Sequence, residues 1–523
     1  MALMLVNNPQ RPPSTSWLAI WQANLEAGCE ADVQQAQAPE ITTTNNKLKV
    51  NRHMTTNVFA LVEIDPANLN DVDRPVYEWL TQRFGAAPLE FKRLLRWRLG
   101  WEATVTIDGV PTGVLVRATR GEGFRAPIPL DLEARLHDVM EQHGVRAPHV
   151  YGMIDKPFAM VMERLEGGIN TELIEDADAQ WKVRAEYIEM LARLHAIPVE
   201  EFAKVGLALP TTPNRGSLEY YQGHITAMRN HLAPRSLPFL EFLDKWLVNN
   251  APQHRDRAAL VTADSGQFMY EGDRMTGLID FELAYIGDPA AEFAGMRVRD
   301  TNEPLGDIGR LRDLYEQLTG DHIDRKLIAY HSAGFAGSAG LLTFPMAYDC
   351  EPDVDYVAYL HFSICMVRWG LQGVFECMDM EQEPITPPRQ NPTLPFSGAT
   401  KQLKALMTGW KTDDKALIYH FEGAAALATY LDRCLVYGQD ILESDLADIQ
   451  ALIGRKVSTR EEADQALAAW IRDAGQEHEP ALARLFDRWL QRQSFLLEGC
   501  GSQAHLTECT LQPIARRGDD TQA

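Results

Sequence analysis

The spacing of apolar positions changes several times along the chain, and each change predicts a different element. Between residues 71 and 84, Val72, Val76, Trp79, Leu80 and Phe84 recur at three- and four-residue steps, the period of a helix with one buried face. Residues 89–98 form an apolar and basic segment. Then the period drops to two: 101–107 alternates, Asp108-Gly109 is a turn signal, and 113–118 alternates or runs apolar with β-branched residues, so a hairpin is expected. Helical spacing returns over 130–143, and 145–153 reads as a loop or strand. Residues 158–162 make a short apolar strand that runs into Glu163-Arg164-Leu165-Glu166-Gly167-Gly168, whose two glycines mark a hinge.

Beyond the hinge the pattern is chiefly helical, strongest over 179–196, with one β-rich interlude at 260–279. The small-residue run 333–347 is broken by glycines, Ser338, Thr343 and Pro345 and reads as a buried helix, too short to span a bilayer. Prolines between 384 and 395 read as a linker. After them, helical patterns with polar faces at 401–409, 415–437, 443–453, 459–474 and 480–497 suggest a separate small helical domain. At the other end, residues 1–53 are rich in Pro, Gln, Asn and Thr without a sustained period, which predicts disorder, and Met54 is a candidate natural start. The expected organisation is a disordered extension at 1–53, a β-rich lobe at 54–166, a helical lobe at 167–380, a linker at 381–400, a helical domain at 401–510 and a disordered tail at 511–523.

Composition narrows the function. The chain has 523 residues, 45% of them hydrophobic, enough to bury a sizeable core. A net charge of −23 repels a phosphate backbone, so neither nucleic acid nor an anionic membrane is expected as a partner. Seven scattered cysteines with no CxxC pair suggest neither a disulfide framework nor a zinc site, and no secretory signal pattern is visible. A reduced, cytoplasmic setting is expected.

Chemistry concentrates in the β-rich interlude. Two short apolar strands joined by the turn Glu271-Gly272-Asp273-Arg274 place Asp264 and Asp280 at the same end of a hairpin. Paired carboxylates there can hold a hard cation such as Mg²⁺ through oxygen, or one of them can orient a hydroxyl nucleophile. Taken on spacing alone, the plainer reading is that both aspartates only punctuate loops.

The segment LIDFELAYIGDP at 278–289, together with Leu191-Ala192-Arg193-Leu194-His195, resembles the aminoglycoside phosphotransferase-like family of small-molecule kinases, over roughly residues 90–375. That resemblance implies an α+β, bilobal protein-kinase-like fold, with a β-rich N-lobe, a mostly helical C-lobe and here an extra C-terminal α-helical domain. It implies ATP and Mg²⁺ as cofactors and a small hydroxylated molecule as acceptor of the γ-phosphoryl group. Family members carry His-Gly-Asp, four residues and Asn on a catalytic loop; Asp264 matches the catalytic base and Asp280 the metal-binding aspartate. Thr262 and Ala263 stand in place of His-Gly, and Gln267 follows Asp264 two positions earlier than the family's Asn, offering an amide oxygen to the metal. Where the family pairs a strand Lys with a helix Glu to hold phosphates, this chain has Arg117 and Glu133, and Arg grips carboxylate and phosphate in a two-pronged way that Lys does not. Backbone groups near Met162 and Glu163 would meet the adenine. Glu282 and Asp288 are expected to brace the loop, His195 to pack and cap its helix, and Arg297 and Arg299 either to bind a substrate anion or to join a surface ion-pair network. Met346, Trp369 and Phe375 are expected on C-lobe helices.

The altered catalytic loop keeps a second reading open, a pseudokinase that binds a ligand or a protein without transferring phosphate. Residues 401–510 are open to a role in specificity, in homodimer formation or in docking a partner.

Overall fold

A computed structural model describes residues 60–95, 98–119, 126–344, 355–391 and 397–515. The expectations for 1–53, Met54, Met346 and the tail beyond 515 lie outside these residues. Six strands form the N-terminal sheet: β1 (Ala60–Glu63), β2 (Glu90–Leu95), β3 (Gly100–Ile107), β4 (Val110–Ala118), β5 (Val150–Asp155) and β6 (Phe158–Glu163). Their order is β1-β2-β3-β4-β6-β5, every neighbouring pair antiparallel. The β3–β4 hairpin turns at Asp108 and Gly109, both with positive φ, as a two-residue turn matched to strand twist requires.

Strand alternation decides what each face carries. Val114, Val116, Ala118, Ala159 and Val161 point to one face and pack with Val76 and Leu80 of α1 (Asp73–Phe84). Leu115, Met160 and Met162 point to the other, where they meet Leu130 and Ala134 of α2 (Leu130–Gln142). Arg117 shares that second face by the same period, so it is aimed at α2 and the lobe below.

The larger lobe is helical: α3 (Ala177–His195), α4 (Val199–Lys204), α5 (Gly216–Leu232), α6 (Pro238–Asn249), α7 (Ala291–Arg299), α8 (Ile308–Thr319), α9 (Arg325–Ala339) and α10 (Tyr356–Cys377). Set into it are β7 (Ala259–Val261), β8 (Phe268–Glu271), β9 (Arg274–Leu278) and β10 (Tyr285–Gly287). Here the hairpin differs from the sequence expectation. Only β8 and β9 pair across the 271–274 turn, whereas β7 pairs with β10. Asp264 therefore lies on the loop between β7 and β8, and Asp280 just past β9, both at the open end of the β8–β9 ladder.

Additional helices close the chain: α11 (Ser397–Gly409), α12 (Lys415–Ile453), α13 (Arg460–Asp473) and α14 (Glu479–Leu497). The two helices expected at 415–437 and 443–453 are one element of 39 residues. The glycine between them, Gly438, costs a helix interior only about 1 kcal/mol relative to Ala, too little to break so long a run. These helices share a core with the larger lobe: Leu467, Ile471, Leu482, Phe486 and Leu490 belong to the same buried cluster as Phe239, Phe242, Trp246 and Phe375. Phe486 meets Phe239 edge-on at 5.4 Å, and the Lys245 ammonium of α6 donates to the carbonyls of Ile471 and Arg472 at the C-terminus of α13. The described residues form one compact unit. Among the described residues no helix is long and apolar enough to cross a membrane.

Candidate active site

The cleft face of the small lobe brings a guanidinium to Asp280. Arg117, buried at the end of β4, is ion-paired with Glu133 on α2 and donates from Nη1 to Asp280 Oδ1 at 2.9 Å. Burial works against its charge, but Glu133, Asp280 and Glu282 outweigh that and push its pKa above the ordinary arginine value. Glu133 also accepts the Phe281 N–H at 3.1 Å, so one carboxylate fixes both the arginine and the backbone beside Asp280.

A second arginine reaches the same place. Arg98, at the entry to β3, donates to Glu282 Oε2 at 2.8 Å and comes within 3.7 Å of Asp280 Oδ2. Sequence reasoning missed it. Its signal was faint, a basic residue at the edge of an apolar strand, because the partner is 184 positions away.

Asp264 is held from inside the larger lobe. Arg299 on α7 and the Gln267 amide, the latter at 2.9 Å, both donate to Oδ2. Its side chain remains 29% exposed. Desolvation raises its pKa; the Arg299 charge opposes this, while Asp280, Glu303 and Glu282 add to it. The Asp280 contribution places the two aspartates in one electrostatic neighbourhood. Gln267 is thus tied to Asp264 through its amide nitrogen, and its backbone carbonyl accepts from Ile279 at 3.1 Å, which locks the loop to the residue before Asp280.

The loop carrying Asp264 is clamped by a residue the sequence reading passed over. Glu292, fully buried in the first turn of α7, accepts from the Thr262 N–H and Oγ1, each at 2.7 Å, from the Ser265 hydroxyl, and meets His195 Nε2 at 3.2 Å. A glutamate amid Ala290, Ala291, Phe293 and Ala294 was the available clue, since an acid is seldom fully buried without several donors. Gly295 lets α7 come this close: a Cβ there would lie 2.1 Å from the Ala263 carbonyl oxygen. Ala263 and Asp280 both take left-handed backbone conformations, φ 65° and 64°. Such strain in residues with a side chain persists only where surroundings enforce it, and it clusters at functional sites.

Other expectations shift. Arg297 is fully buried, bound to Glu376, Ser332 and the Gln512 carbonyl, so neither a substrate anion nor a surface network describes it; Arg299 faces Asp264. Met162 lies mid-sheet, paired with Leu115 on one side and Val150 on the other. Glu163 donates its N–H to the His149 carbonyl at 2.8 Å and its carboxylate grips Arg146, so that one N–H among the backbone groups near Met162 and Glu163 is taken up by the protein itself. His195 links Tyr315, at 2.7 Å, to Glu292. Asp288 accepts both prongs of Arg255 at 2.8 and 2.7 Å.

Residues 98–326 match the model of the phosphotransferase enzyme family, a span that begins at Arg98 and contains Arg117, Asp264 and Asp280. That match agrees with the resemblance drawn from 278–289. Similar solved structures include a provisionally assigned aminoglycoside phosphotransferase from Ralstonia eutropha, 17% identical over 59% of this chain and 99% of its own, with a TM-score of 0.45. Macrolide 2′-phosphotransferase MphH from Brachybacterium faecium is 17% identical over 56% and 97%, at 0.39. The streptomycin-ATP complex of APH(2″)-IIa is 16% identical over 54% and 93%, at 0.40. No curated protein matches the chain.

Proposed function

We propose that the protein transfers the γ-phosphoryl group of ATP to a hydroxyl of a small organic molecule, with Mg²⁺ as cofactor. The observation that carries this reading is the meeting, at the open end of the β8–β9 ladder, of the partly exposed Asp264 and of Asp280 bonded to Arg117. Phosphoryl transfer needs positioning and charge neutralisation more than covalent help. In this scheme Asp264 orients the acceptor hydroxyl and takes its proton, since a carboxylate with a raised pKa is the better base. Arg117, set by Glu133, holds phosphate oxygens, and Arg98 stands beside it.

The donor set suits a hard cation. The Asp280 carboxylate and the Gln267 side-chain oxygen are both hard ligands, and Mg²⁺ takes only one or two protein ligands beside phosphate oxygens and water. A carboxylate has about four acceptor positions, so the guanidinium on Oδ1 does not exclude a cation. Mg²⁺ held there would neutralise charge on the phosphates.

The test is a screen of hydroxylated metabolites for ADP release, run in parallel with Asp264→Ala. Turnover by the native chain and its loss in the variant, with nucleotide binding retained, is the expected result. Equal activity in both would refute the role of Asp264. A pseudokinase reading is favoured by one observation, that each key carboxylate is already bonded to an arginine. A metal-dependent rise in melting temperature with Mg-ATP, but no ADP release from any acceptor, would decide for it.

A further inference from the structure

Past α14 the chain crosses back over the larger lobe and is tied along α10. Arg368 donates to the carbonyls of Leu506, Thr507 and Cys509 at 3.1, 2.7 and 2.7 Å, and Trp369 Nε1 donates to the Cys509 carbonyl at 2.9 Å. The Gln372 side chain bonds both the N–H and the carbonyl of Leu511, which is buried.

Gln512 carries this strap onto the segment that follows α7. Its side-chain amide donates to the Gly306 carbonyl at 2.7 Å and to Asp300 Oδ2 at 3.3 Å, and its side-chain oxygen accepts the Ile308 N–H at 2.9 Å. Its backbone carbonyl accepts from Arg297 Nε at 2.8 Å. Residues 300–307 form neither helix nor strand, so their peptide groups need partners from elsewhere. Ile308 opens α8, and its N–H is one of the donors a helix leaves without a partner of its own. A primary amide supplies a donor and an acceptor together, which fits a carbonyl and an N–H two residues apart. Nearby, His505 Nε2 meets Asn302 Oδ1 at 2.9 Å.

That segment in turn touches the loop of Asp264. Leu305 is buried against Gly266: a Cβ at Gly266 would lie 2.6 Å from Leu305 Cδ1 and 3.3 Å from Arg299 Cγ. The Gly266 N–H donates to the Tyr187 hydroxyl at 2.8 Å, so the loop is held between α3 and the 299–305 segment. Arg299 donates to Asp264 and comes within 3.5 Å of Glu303. The match to the phosphotransferase family ends at 326, so the strap lies wholly outside it.

We propose that Gln512 is a positioning residue for Asp264: by fixing residues 300–308 it holds Leu305 and Arg299 against the catalytic loop, and the C-terminal helices thereby take part in setting the base. This rests on the reading of Asp264 as the group that orients the acceptor hydroxyl. Loss of the amide takes away the partners of the Gly306 carbonyl and the Ile308 N–H, and the segment can then slip away from Gly266. A displacement of about 1 Å at a reacting group costs roughly a hundredfold in rate, so even a smaller slip is felt.

Gln512→Met keeps the volume and loses both hydrogen-bonding ends of the side chain. On the full chain, ADP release from Mg-ATP is measured with water and with the screened hydroxylated metabolites as acceptors. Turnover should fall about tenfold with the KM for ATP unchanged, since Arg98 and Arg117, read as the phosphate contacts, belong to the small lobe. Amide hydrogen exchange read by mass spectrometry needs no turnover: peptides covering 262–268 and 300–308 should exchange about tenfold faster in the variant, with the β3–β4 hairpin unchanged. Exchange unchanged over 262–268, exchange raised equally throughout the chain, a KM for ATP that rises in step with the loss, or a fall in turnover no larger than the unfolded fraction would each overturn the proposal. A native chain that releases no ADP with any acceptor would overturn the phosphotransferase reading alone, and the exchange over 262–268 would then decide whether Gln512 holds that loop. Should Gln512→Met fail to fold, Gln512→Glu keeps the bond from Ile308 and loses the donor to Gly306, and the same split between turnover and KM is expected of it.

Discussion

Asp264 and Asp288 lie 24 positions apart, are the same residue type, and both precede α7 in the chain, yet their surroundings treat them oppositely. Asp288 is buried, which alone would raise its pKa, but two hydrogen bonds from Arg255 and the nearby His331 pull it far below the ordinary carboxylate value. The Ala290 N–H adds a further donor at 2.9 Å. Asp264 has one arginine and one amide, and the carboxylates of Asp280, Glu303 and Glu282 press on it, so its pKa is raised. A carboxylate whose donors satisfy it holds structure together; one kept short of donors and partly exposed is poised to take a proton.

The largest effect expected from breaking this contrast is on turnover. Asp264→Asn should lower phosphoryl transfer by about a thousandfold, within the range that a general base contributes, while leaving the melting temperature unchanged or higher. Asp288→Ala should do the reverse: a cost of about 3 kcal/mol in urea unfolding, as for a buried pair that loses one partner, with activity lost only in proportion to unfolded protein. Arg117→Lys keeps the charge but not the two-pronged bridge between Glu133 and Asp280, and should weaken nucleotide binding about tenfold by calorimetry.

Smallest is the effect of pH, and its sign differs for the two acids. The Asp288 network contributes stability that is fully present above about pH 4, the unfolded aspartate value, and is lost as pH falls toward its depressed folded value. The Asp264 charge opposes folding instead, a penalty that sets in as pH rises through its raised value. Removing Arg299 as Met should move the acid limb of the activity profile further upward, and an unmoved limb would separate that limb from Asp264.

Several parts of this arrangement were legible beforehand. The β3–β4 hairpin, α2, α3 and the strand before the hinge follow from period and turn chemistry that act within about ten residues. The pairing of β7 with β10 was not, because a three-residue apolar strand gives no sign of which neighbour it will find. Nor was the continuity of α12 through Gly438, since packing of the surrounding helix outweighs one unfavourable residue.

What the sequence determined by itself was the set of elements, the family resemblance carried by 278–289, and the presence of two aspartates near one hairpin end. Tertiary structure decided which cation each acid faces: Arg98 and Arg117 for Asp280, Arg299 for Asp264, Arg255 for Asp288, with Glu292 clamping the loop between. These partners come from different elements, up to 184 residues apart. A charged side chain has no period that announces its partner; only the packing of the lobes brings the two within reach of each other and removes the water that would otherwise screen them.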